Sequence, residues 1–276
     1  MPSDTHSWCE VIARPIGQQP RTAEVAEEVP VGVIYGGIPH AVMMASPADL
    51  EDFVVGFSVT EGIIRSASDI RSIASRKTDD GVELNVLLLP EPFQSFLSRR
   101  RIRNLRGQTS CGLCGVEEIG DTRAETPHAP EGQKFTQAAV RSALAALPNY
   151  QHLHKRTRAA HAAAWVSPEG AILLVREDVG RHNALDKLIG AAMRMPIDLT
   201  AGFCLITSRC SFEMVQKALM ASMPAIVAIS APTGLAVRTA EAAGLTLVAL
   251  ARNDAQNIYA GAHRVLDPIV DSHVLF

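Results

Sequence analysis

Residues 203–249 read FCLITSRCSFEMVQKALMASMPAIVAISAPTGLAVRTAEAAGLTLVA. Within this stretch, apolar runs of strand length alternate with segments that have the apolar periodicity of a helix. The pattern predicts strands at 203–207, 225–229 and 245–249 and helices at 211–220 and 235–243. Continuously apolar strands separated by helices are typical of a parallel sheet covered on both faces. We therefore predict an α/β fold for this part of the chain.

The same alternation extends upstream. The sequence predicts a helix that Thr136 caps and that ends near Pro148, then a strand at 171–175 and a helix at 183–193. The first half is different, because two β-rich runs at 29–35 and 38–44 are joined by Gly36-Gly37, a hairpin signal. After them the sequence predicts a helix opened by Ser46-Pro47-Ala48-Asp49 and ended by Gly62, a strand at 82–89, and a short helix after Pro92.

These elements suggest four regions along the chain. Residues 1–28 are expected to form a flexible leader, and residues 29–119 a smaller α+β domain that ends in a Cys-x-x-Cys loop. Residues 120–133 are rich in Pro, Glu, Asp, Thr and Gly and are interpreted as a linker. Residues 134–276 are predicted to form the α/β cofactor-binding domain.

Composition restricts the class of protein. The chain has 276 residues, a formal net charge of −3 and five cysteines without the regular spacing of a secreted disulfide scaffold, so we expect a cytoplasmic location. The N-terminus lacks a basic start followed by an apolar run, and no run approaches the roughly 18 apolar residues of a membrane span. The basic residues are too localised for a nucleic-acid surface, so we expect neither nucleic acid nor membrane as a partner.

Two cysteines, Cys111 and Cys114, lie three residues apart on a glycine-flanked loop. They follow a segment that carries Arg99, Arg100, Arg101, Arg103 and Arg106. Cations near a thiol lower its pKa from about 8.5 and so increase the fraction of reactive thiolate. Three functions are open for such a pair: half of a zinc site, a thiol-disulfide redox pair, or a relay that carries sulfur as a persulfide. The alternative without a function is two small hydrophobic residues in a turn.

Three predicted loops after strands are unusually polar. Ligands of open α/β sheets bind beyond the carboxyl ends of the strands, so these loops are the candidate ligand site. They supply Arg181, His182 and Asn183, then Ser208 and Arg209, then Leu250, Ala251, Arg252, Asn253, Asp254 and Ala255. A helix start beside such residues is able to hold a phosphate or another anion. The structural alternative is that Asn183 caps its helix while Asp178 pairs with Arg181.

His161 lies among alanines, and a histidine in this setting is more often a packed core residue than a catalytic one. A nucleobase deaminase would need His-x-Glu followed by Pro-Cys-x-x-Cys. Here Ala163 occupies the position of that glutamate, and Ser110 precedes the first cysteine. The deaminase interpretation is therefore weak, and no metal site is predicted.

Several of these motifs resemble those of the formate dehydrogenase accessory sulfurtransferases, also called sulfur carrier proteins. The resemblance is carried by CGLCG at 111–115, EDVGRHNALDK at 177–187, Ser208-Arg209 and EMV at 213–215. Phe57 with EGII at 61–64, and APT at 231–233 with LAV at 235–237, fit the same family. The match extends from about residue 29 to residue 259, and GRHNALDK is its most specific part.

The resemblance implies a three-layer, cytidine-deaminase-like C-terminal domain without zinc, and a homodimer. It implies a sulfurtransferase that accepts persulfide sulfur from a cysteine desulfurase. The sulfur would pass to a molybdenum bis(molybdopterin guanine dinucleotide) cofactor for formate dehydrogenase, and GDP or GMP would mimic that cofactor. Carried over to this sequence, Cys111 is the persulfide carrier, Cys114 is its partner, and residues 250–255 contact the cofactor.

Two places depart from the family pattern. Relatives commonly have Gly-Gly where this chain has Arg158-Ala159, and Gly-Phe where it has Ala249-Leu250. Two other functions stay open, namely a non-enzymatic cofactor-binding chaperone and thiol-disulfide exchange. The absence of a Trp or Pro beside the cysteine pair gives thiol-disulfide exchange little support. The sequence also leaves open which enzyme is the client and whether its metal is molybdenum or tungsten.

Overall fold

The computed structural model describes residues 7–17, 19–104, 127–195, 197–252 and 255–266. The first strands are β1 (Trp8–Ala13), β2 (Arg21–Ala26), β3 (Val29–Tyr35), β4 (Ile38–Ala45), β5 (Ile70–Thr78) and β6 (Gly81–Leu88). The later strands are β7 (Phe135–Thr136), β8 (His161–Val166), β9 (Ile172–Asp178), β10 (Phe203–Ile206), β11 (Ala225–Ala228), β12 (Thr246–Ala249), β13 (Asn257–Ala260) and β14 (Val265–Leu266). The helices are α1 (Leu50–Thr60), α2 (Pro90–Asn104), α3 (Gln137–Ala146), α4 (His152–Thr157), α5 (Arg181–Arg194), α6 (Phe212–Met220) and α7 (Gly234–Ala243). The predicted site residues Cys111, Cys114, Asn253 and Asp254 lie outside the described residues.

The chain forms two compact units, and neither is continuous in sequence. The first comprises Met1–Thr126, His152–His161 and Arg176–Ile197, and the second comprises Pro127–Gln151, Ala162–Val175 and Asp198–Phe276. Helix α5, which the sequence analysis assigned to the second domain, therefore groups with the first unit. Each unit is described by itself below.

The first unit contains a four-stranded sheet in the order β4-β3-β6-β5. The predicted hairpin of β3 and β4 is confirmed, and β3 also pairs in parallel with β6. Alternate residues of the central strands are buried, as the two-residue period of a strand requires when one face is covered. These residues are Val31, Val33, Tyr35, Val82, Leu84 and Val86.

Helix α1 begins at Leu50, later than the sequence predicted. Ser46 does not cap it; Asp49 precedes the helix in a left-handed conformation with φ 55°, and no side-chain cap bond is formed there. Ser46 is instead fully buried and bonds to Asp178 and Lys187. Ser46, which the sequence predicted to cap α1, therefore binds two residues that are more than 130 positions away in sequence.

Part of the predicted leader forms a β-hairpin. Strands β1 and β2 pair antiparallel, with Trp8 opposite Ala26 and Ala13 opposite Arg21. The guanidinium carbon of Arg156, from α4, lies 3.9 Å from the centre of the Trp8 ring. The same guanidinium lies 2.5 Å from Glu24 of β2. A cation above an indole ring is attracted to its negative face, so this contact fastens the hairpin to α4.

The second unit is built around a six-stranded sheet in the order β13-β12-β11-β10-β8-β9. Its centre, β12-β11-β10, is parallel, and the outer strands β8 and β13 run antiparallel to their neighbours. All residues of β10, β11 and β12 are buried, as expected for strands that are covered on both faces. The predicted strands and helices of residues 203–249 are thus confirmed.

Helix α3 covers one face of this sheet. Ala139, Val140, Ala143 and Leu147 form a cluster with alternate strand residues, among them Ala164, Val166, Phe203, Leu205, Ala225, Val227 and Val248. The fold is α/β, and the cytidine-deaminase-like layering stays a prediction. None of the helices in the described part of the chain is long and apolar enough to cross a membrane.

The described end of the predicted linker is packed rather than extended away from the unit. The Ala129 N–H donates to Ala243 O at 2.8 Å. Arg264, which is 4% exposed, donates to Glu131 O and to Pro130 O, the latter at 2.7 Å. Residues 127–133 are therefore part of the second unit.

Candidate functional site

Three loops of the second unit meet at one edge of the sheet, because the parallel strands β10, β11 and β12 end side by side. Backbone hydrogen bonds join the loops to one another. Cys210 N donates to Ala231 O at 3.2 Å, and Thr233 N donates to Cys210 O at 3.0 Å. Leu250 N donates to Ser230 O at 3.2 Å, so the loop after β12 also joins this edge.

Two helices begin at the same edge. Helix α6 starts after Ser211, and α7 starts after Thr233, whose hydroxyl accepts the Ala236 N–H at 3.3 Å. The first turn of a helix has backbone N–H groups without intrahelical partners and a partial positive charge. This edge therefore suits an anionic or polar ligand, and the ligand site predicted at the ends of these strands stays a prediction.

Ser208 and Arg209 lie on the loop after β10. Ser208 is 4% exposed, and its hydroxyl donates to Arg209 O at 3.0 Å. Arg209 is exposed. The geometry makes Arg209 available to a ligand, whereas Ser208 mainly shapes the loop.

The segment after β12 holds Leu250, Ala251, Arg252 and Ala255 of the predicted site. Ala251 is buried, while Arg252 and Ala255 are exposed and joined by a 2.7 Å bond from Arg252 N to Ala255 O. Leu250 has φ 51°, in the left-handed region that residues with a Cβ rarely adopt. Such strain is often found at functional sites, and here it turns the chain sharply between the strand and Arg252.

Arg181, His182 and Asn183 belong to the first unit and form the first turn of α5. Asn183 is 3% exposed, and its side-chain nitrogen donates to Met44 O at 2.7 Å and to Asp178 Oδ1 at 3.1 Å. It does not cap the helix, because Gly180 is the capping residue. In this structure Asn183 holds the turn in place, and the predicted ligand contacts of residues 181–183 stay a prediction.

Asp178 is the centre of a buried polar network. It pairs with Lys187, whose Nζ lies 2.6 Å from Oδ2, and not with Arg181. Asp178 also accepts the N–H groups of Ser46 at 3.0 Å and Gly180 at 2.8 Å. Because a buried carboxylate is stable only when its oxygens are paired, this network fixes the turn that starts α5.

Sequence reasoning left His161 open between a packed core residue and a catalytic one, with the core residue the more common case. His161 is partly buried, and its pKa is lowered first by burial and then by the neighbouring positive charges of Arg181 and His154. The charged groups that act on His161 belong to α4 and α5, which are distant in sequence or separate elements. The alanines next to His161 in the sequence therefore did not indicate them. His161 is therefore a candidate for the same site as Arg181.

The described cysteines are poor nucleophiles. Cys204 and Cys210 are 0% exposed, and burial raises the pKa of Cys204 strongly and that of Cys210 to about 12. The pKa of Cys9 is also raised, through desolvation and its hydrogen bond to Glu27. Because the thiolate is the reactive form, the buried thiols of Cys204 and Cys210 do not suit sulfur chemistry near neutral pH, and the raised pKa makes Cys9 less reactive than an ordinary thiol.

Comparison with known proteins assigns this architecture to a family. A family model described as the FdhD/NarQ family matches residues 26–266. "Sulfur carrier protein FdhD" of Xanthomonas euvesicatoria pv. vesicatoria is 47% identical over 241 residues, which cover 87% of this chain and 85% of that protein. The protein of the same name from Bordetella petrii is 43% identical over 250 residues, covering 91% of this chain and 89% of that protein.

A solved structure supports the fold independently. It is described as a formate dehydrogenase accessory protein from Desulfotalea psychrophila and superposes with a TM-score of 0.70. The alignment covers 94% of this chain and 98% of that chain, at 24% sequence identity. The similarity extends over both units.

Proposed function

Because this chain belongs to the FdhD/NarQ family, we propose that it is a sulfur carrier that serves the maturation of formate dehydrogenase. In detail, it accepts persulfide sulfur from a cysteine desulfurase and passes it to the molybdenum of a bis(molybdopterin guanine dinucleotide) cofactor. Cys111 carries the persulfide, and Cys114 is its partner. The cofactor is a bound substrate of this protein, and the protein acts as a homodimer.

One observation carries the assignment to these two cysteines. Of the five cysteines, the three in the described residues have raised thiol pKa values, and two of them are completely buried. Cys111 and Cys114 remain, and they follow a helix whose C-terminal half contains Arg99, Arg100, Arg101 and Arg103. Cations of this kind favour the thiolate, which is the form that attacks a persulfide.

The loading step balances without any further reagent. The Cys111 thiolate attacks the outer sulfur of the persulfide on the desulfurase, and a new S–S bond forms on Cys111. The S–S bond of the desulfurase breaks, and its electron pair leaves with the desulfurase cysteine as a thiolate. The proton of the outer sulfur stays with the transferred group, so Cys111 becomes a persulfide.

The polar edge of the second unit supports recognition of the guanine nucleotide parts of the cofactor. Arg209 and Arg252 are exposed there, beside the first turns of α6 and α7. A guanidinium binds phosphate oxygens through two parallel N–H donors, so each arginine suits a pyrophosphate. We propose that residues 250–255 of the second unit and, separately, residues 181–183 of the first unit contact the cofactor, and GDP or GMP is expected to mimic the ligand.

Persulfide loading tests the proposal directly. The purified chain is incubated with a cysteine desulfurase and cysteine, and its intact mass is measured before and after reduction. We expect one added sulfur atom on the wild-type chain, removed by reduction, and none on the variant with Cys111→Ala and Cys114→Ala. The variant Cys9→Ala is the matched control and should load normally. Unloaded wild-type protein, or a loaded double variant, would refute the carrier role.

The two alternative functions predict different results for the variant with Cys111→Ala and Cys114→Ala and for the wild-type chain. A cofactor chaperone predicts that the double alanine variant restores formate dehydrogenase activity to cells that lack the protein. Thiol-disulfide exchange predicts turnover of a disulfide substrate by the Cys111 and Cys114 pair. A sulfur carrier predicts neither result, although nucleotide binding by the double variant should be retained.

A further inference from the structure

Strand β1 has a free edge. Among the described strands it pairs with β2 alone, and the two form a separate two-stranded sheet. The family model begins at residue 26, at the end of β2, so this hairpin lies almost entirely outside the part of the chain that the model matches. A free strand edge is a surface on which a strand of another chain can pair. The hairpin is therefore a candidate contact surface that family membership does not assign.

The register of the hairpin shows which backbone groups of β1 point away from β2. Glu27 N donates to Ser7 O at 2.8 Å, so these two opposite residues form a hydrogen-bonded pair. Hydrogen-bonded and non-hydrogen-bonded pairs alternate along an antiparallel ladder. The pairs that β1 forms through Glu10 and Ile12 are thus of the non-hydrogen-bonded kind. The N–H and C=O groups of these two residues point outward, and no described residue bonds to them.

The side chains at this edge are apolar apart from two charges. Val11 is 39% exposed and Ile12 is 62% exposed, although residues of these types are usually buried. Glu10 and Arg14 are exposed on either side of Ile12, and no ion pair in the described part of the chain includes them. Charges at the edge of a sheet normally discourage pairing with other chains. Here their signs and their spacing decide which chain fits.

We propose that two copies of this chain pair antiparallel through their β1 strands, with Ile12 of one copy opposite Ile12 of the other. In this register Glu10 lies opposite Arg14 of the second copy, and the same pair recurs on the other side of the two-fold axis. Opposite charges that face each other across two strands are favourable. Val11 meets Ala13 of the second copy on the other face of the sheet. The two hairpins then form one four-stranded sheet with closed two-fold symmetry.

Charge complementarity selects this register over its neighbours. Outward-pointing residues must oppose one another, so Glu10, Ile12 and Arg14 face the same set on the second copy in every register that keeps the ladder. A two-fold axis at Val11 would place Glu10 opposite Ile12 and leave both charges without a partner. An axis at Glu10 would place two carboxylates opposite each other, which is repulsive. Residues 10–14 are thus their own electrostatic complement in the antiparallel direction.

The remainder of the hairpin is compatible with this contact. Trp8, at the start of β1, is held by Arg156 of α4, whose guanidinium carbon lies 3.9 Å from the ring centre. This fixes one end of the hairpin and leaves Glu10 and Ile12 exposed. Two strands of six residues cover less surface than the roughly 1,600 Å² of a standard interface, so the contact alone is expected to be weak. It assigns a surface to the homodimer of the proposed function and rests on that proposal only in this respect.

Disulfide trapping tests the contact on the full chain. The Cα atoms of opposite residues in a hydrogen-bonded pair are about 5.5 Å apart, which is within the range of a disulfide. In a background with Cys9→Ala, Cys111→Ala and Cys114→Ala, the variant Ile12→Cys is oxidised with diamide, and linked chains are measured on a non-reducing gel. We expect a linked dimer. Thr22→Cys, at an exposed position of β2 in the same hairpin, is the matched control and should stay unlinked, because two strands separate these positions in the paired hairpins.

Charge reversal tests the register. Arg14→Glu, added to the Ile12→Cys chain, places a carboxylate opposite Glu10 in both pairs, so the rate of linking should fall about tenfold or more. The further change Glu10→Arg restores opposite charges and should restore the rate. Arg21→Glu reverses an exposed charge on β2 and is the control without effect. No linking of Ile12→Cys, equal linking of Thr22→Cys, or linking that Arg14→Glu does not slow would each overturn the proposal.

A second measurement uses the wild-type chain. Hydrogen exchange in deuterated water is followed at individual amides by NMR, at low and at high chain concentration. The N–H groups of Glu10 and Ile12 should exchange more slowly at high concentration, because the second β1 strand then accepts them. The N–H of Thr22 points away from β1 and should exchange at the same rate in both samples. Exchange at Ile12 that does not depend on concentration would overturn the proposal.

The two hypotheses fail separately. If the wild-type chain takes up no persulfide sulfur but Ile12→Cys forms the linked dimer, the sulfur carrier is refuted and the β1 contact is retained. If the wild-type chain takes up sulfur and Ile12→Cys stays unlinked, the β1 contact is refuted and the sulfur carrier is retained.

Discussion

Lys187 Nζ lies 2.6 Å from Asp178 Oδ2, and both side chains are completely excluded from solvent. Lys187 also donates to Ser46 O at 2.9 Å, so the ammonium group has two acceptors. A charge in such a place is tolerated only while its partner is present, because neither group regains its hydration when the other is removed. The pair thus joins the end of β9, the first turns of α5 and the residue that follows β4.

The first prediction concerns this pair. Lys187→Met should lower the free energy of unfolding by about 3–5 kcal/mol, since Asp178 is then buried without its counter-ion. In a double-mutant cycle with Asp178→Asn, the two losses should be clearly less than additive, and urea unfolding measures both. The surface pair Arg76 and Glu83, at 2.5 Å, is the control and should couple by less than about 1 kcal/mol. A coupling of the buried pair no larger than this would contradict the prediction.

Gly56 and Gly190 allow α1 and α5 to pack closely. A Cβ on Gly190 would lie 1.8 Å from Asp52 O, and one on Gly56 would lie 1.8 Å from Asp186 O. Gly190→Ala should therefore force the helices apart and cost about 3 kcal/mol of stability in urea unfolding. Gly32→Ala is the control, because its nearest neighbour would be at 3.8 Å and the change should cost less than about 0.5 kcal/mol. Similar stability of the two variants would disprove the close contact.

Reactivity of the cysteines provides the third prediction. Native protein treated with a maleimide at pH 8 should be modified at Cys111 and Cys114 and spared at Cys204 and Cys210. The pKa of Cys210 is raised to about 12, so raising the pH from 7 to 9 should leave Cys210 protected. Peptide mass spectrometry locates the adducts, and urea-unfolded protein serves as the control in which all five cysteines react. Fast modification of Cys210 in the native state would show that it is accessible and reopen its role in the chemistry.

The backbone conformation of Arg158 gives a fourth prediction. Arg158 has φ 60°, which glycine adopts without strain. Arg158→Gly should raise stability by about 0.5–1 kcal/mol in thermal unfolding, because relief of a left-handed Cβ outweighs the added entropy of the unfolded chain. Ala159 has no positive φ, so Ala159→Gly is the matched control and should lower stability by a similar amount. A loss of stability in Arg158→Gly would mean that the side chain, and not the backbone, matters there.

The sequence was sufficient for elements whose pattern is local. Residues 203–249 form the predicted strands and helices, because strands buried on both faces are continuously apolar and their helices have capped, one-sided patterns. The hairpin of β3 and β4 is likewise given by Gly36-Gly37, both with positive φ. Predicted loops after β10 and β12 do meet at one edge of the sheet, because parallel neighbouring strands end on the same side.

Elements that depend on distant partners were missed. Strand β8 contains three consecutive alanines, a composition that favours a helix, and it is a strand because it pairs with β10. Strands β1 and β2 pack through Trp8 against Arg156 of α4, more than 100 residues away in sequence. Asn183 and Ser46 have residue types that suit a ligand site or a cap, and only the fold shows that they bind Asp178 instead. The cysteine loop lies outside the described residues, so its role stays a prediction.

The last prediction concerns Arg264, which binds three carbonyls on two backbone segments of the second unit, residues 130–131 and the residue that follows α7. Its guanidinium donates to Gly244 O at 2.8 Å and to Pro130 O at 2.7 Å, and also to Glu131 O. Burial lowers the pKa of Arg264, but an arginine stays charged. The three carbonyls therefore replace the hydration that the guanidinium loses on burial. Arg264→Gln should cost about 2–3 kcal/mol in urea unfolding, and Arg264→Lys should recover little, because an ammonium cannot reach all three carbonyls in the same plane. The neighbouring exposed residue gives the control His263→Gln, which should be nearly neutral. If Arg264→Lys is as stable as wild type, a positive charge at this position is sufficient for stability. The planar guanidinium would then not be required to join the end of α7 to residues 130–131.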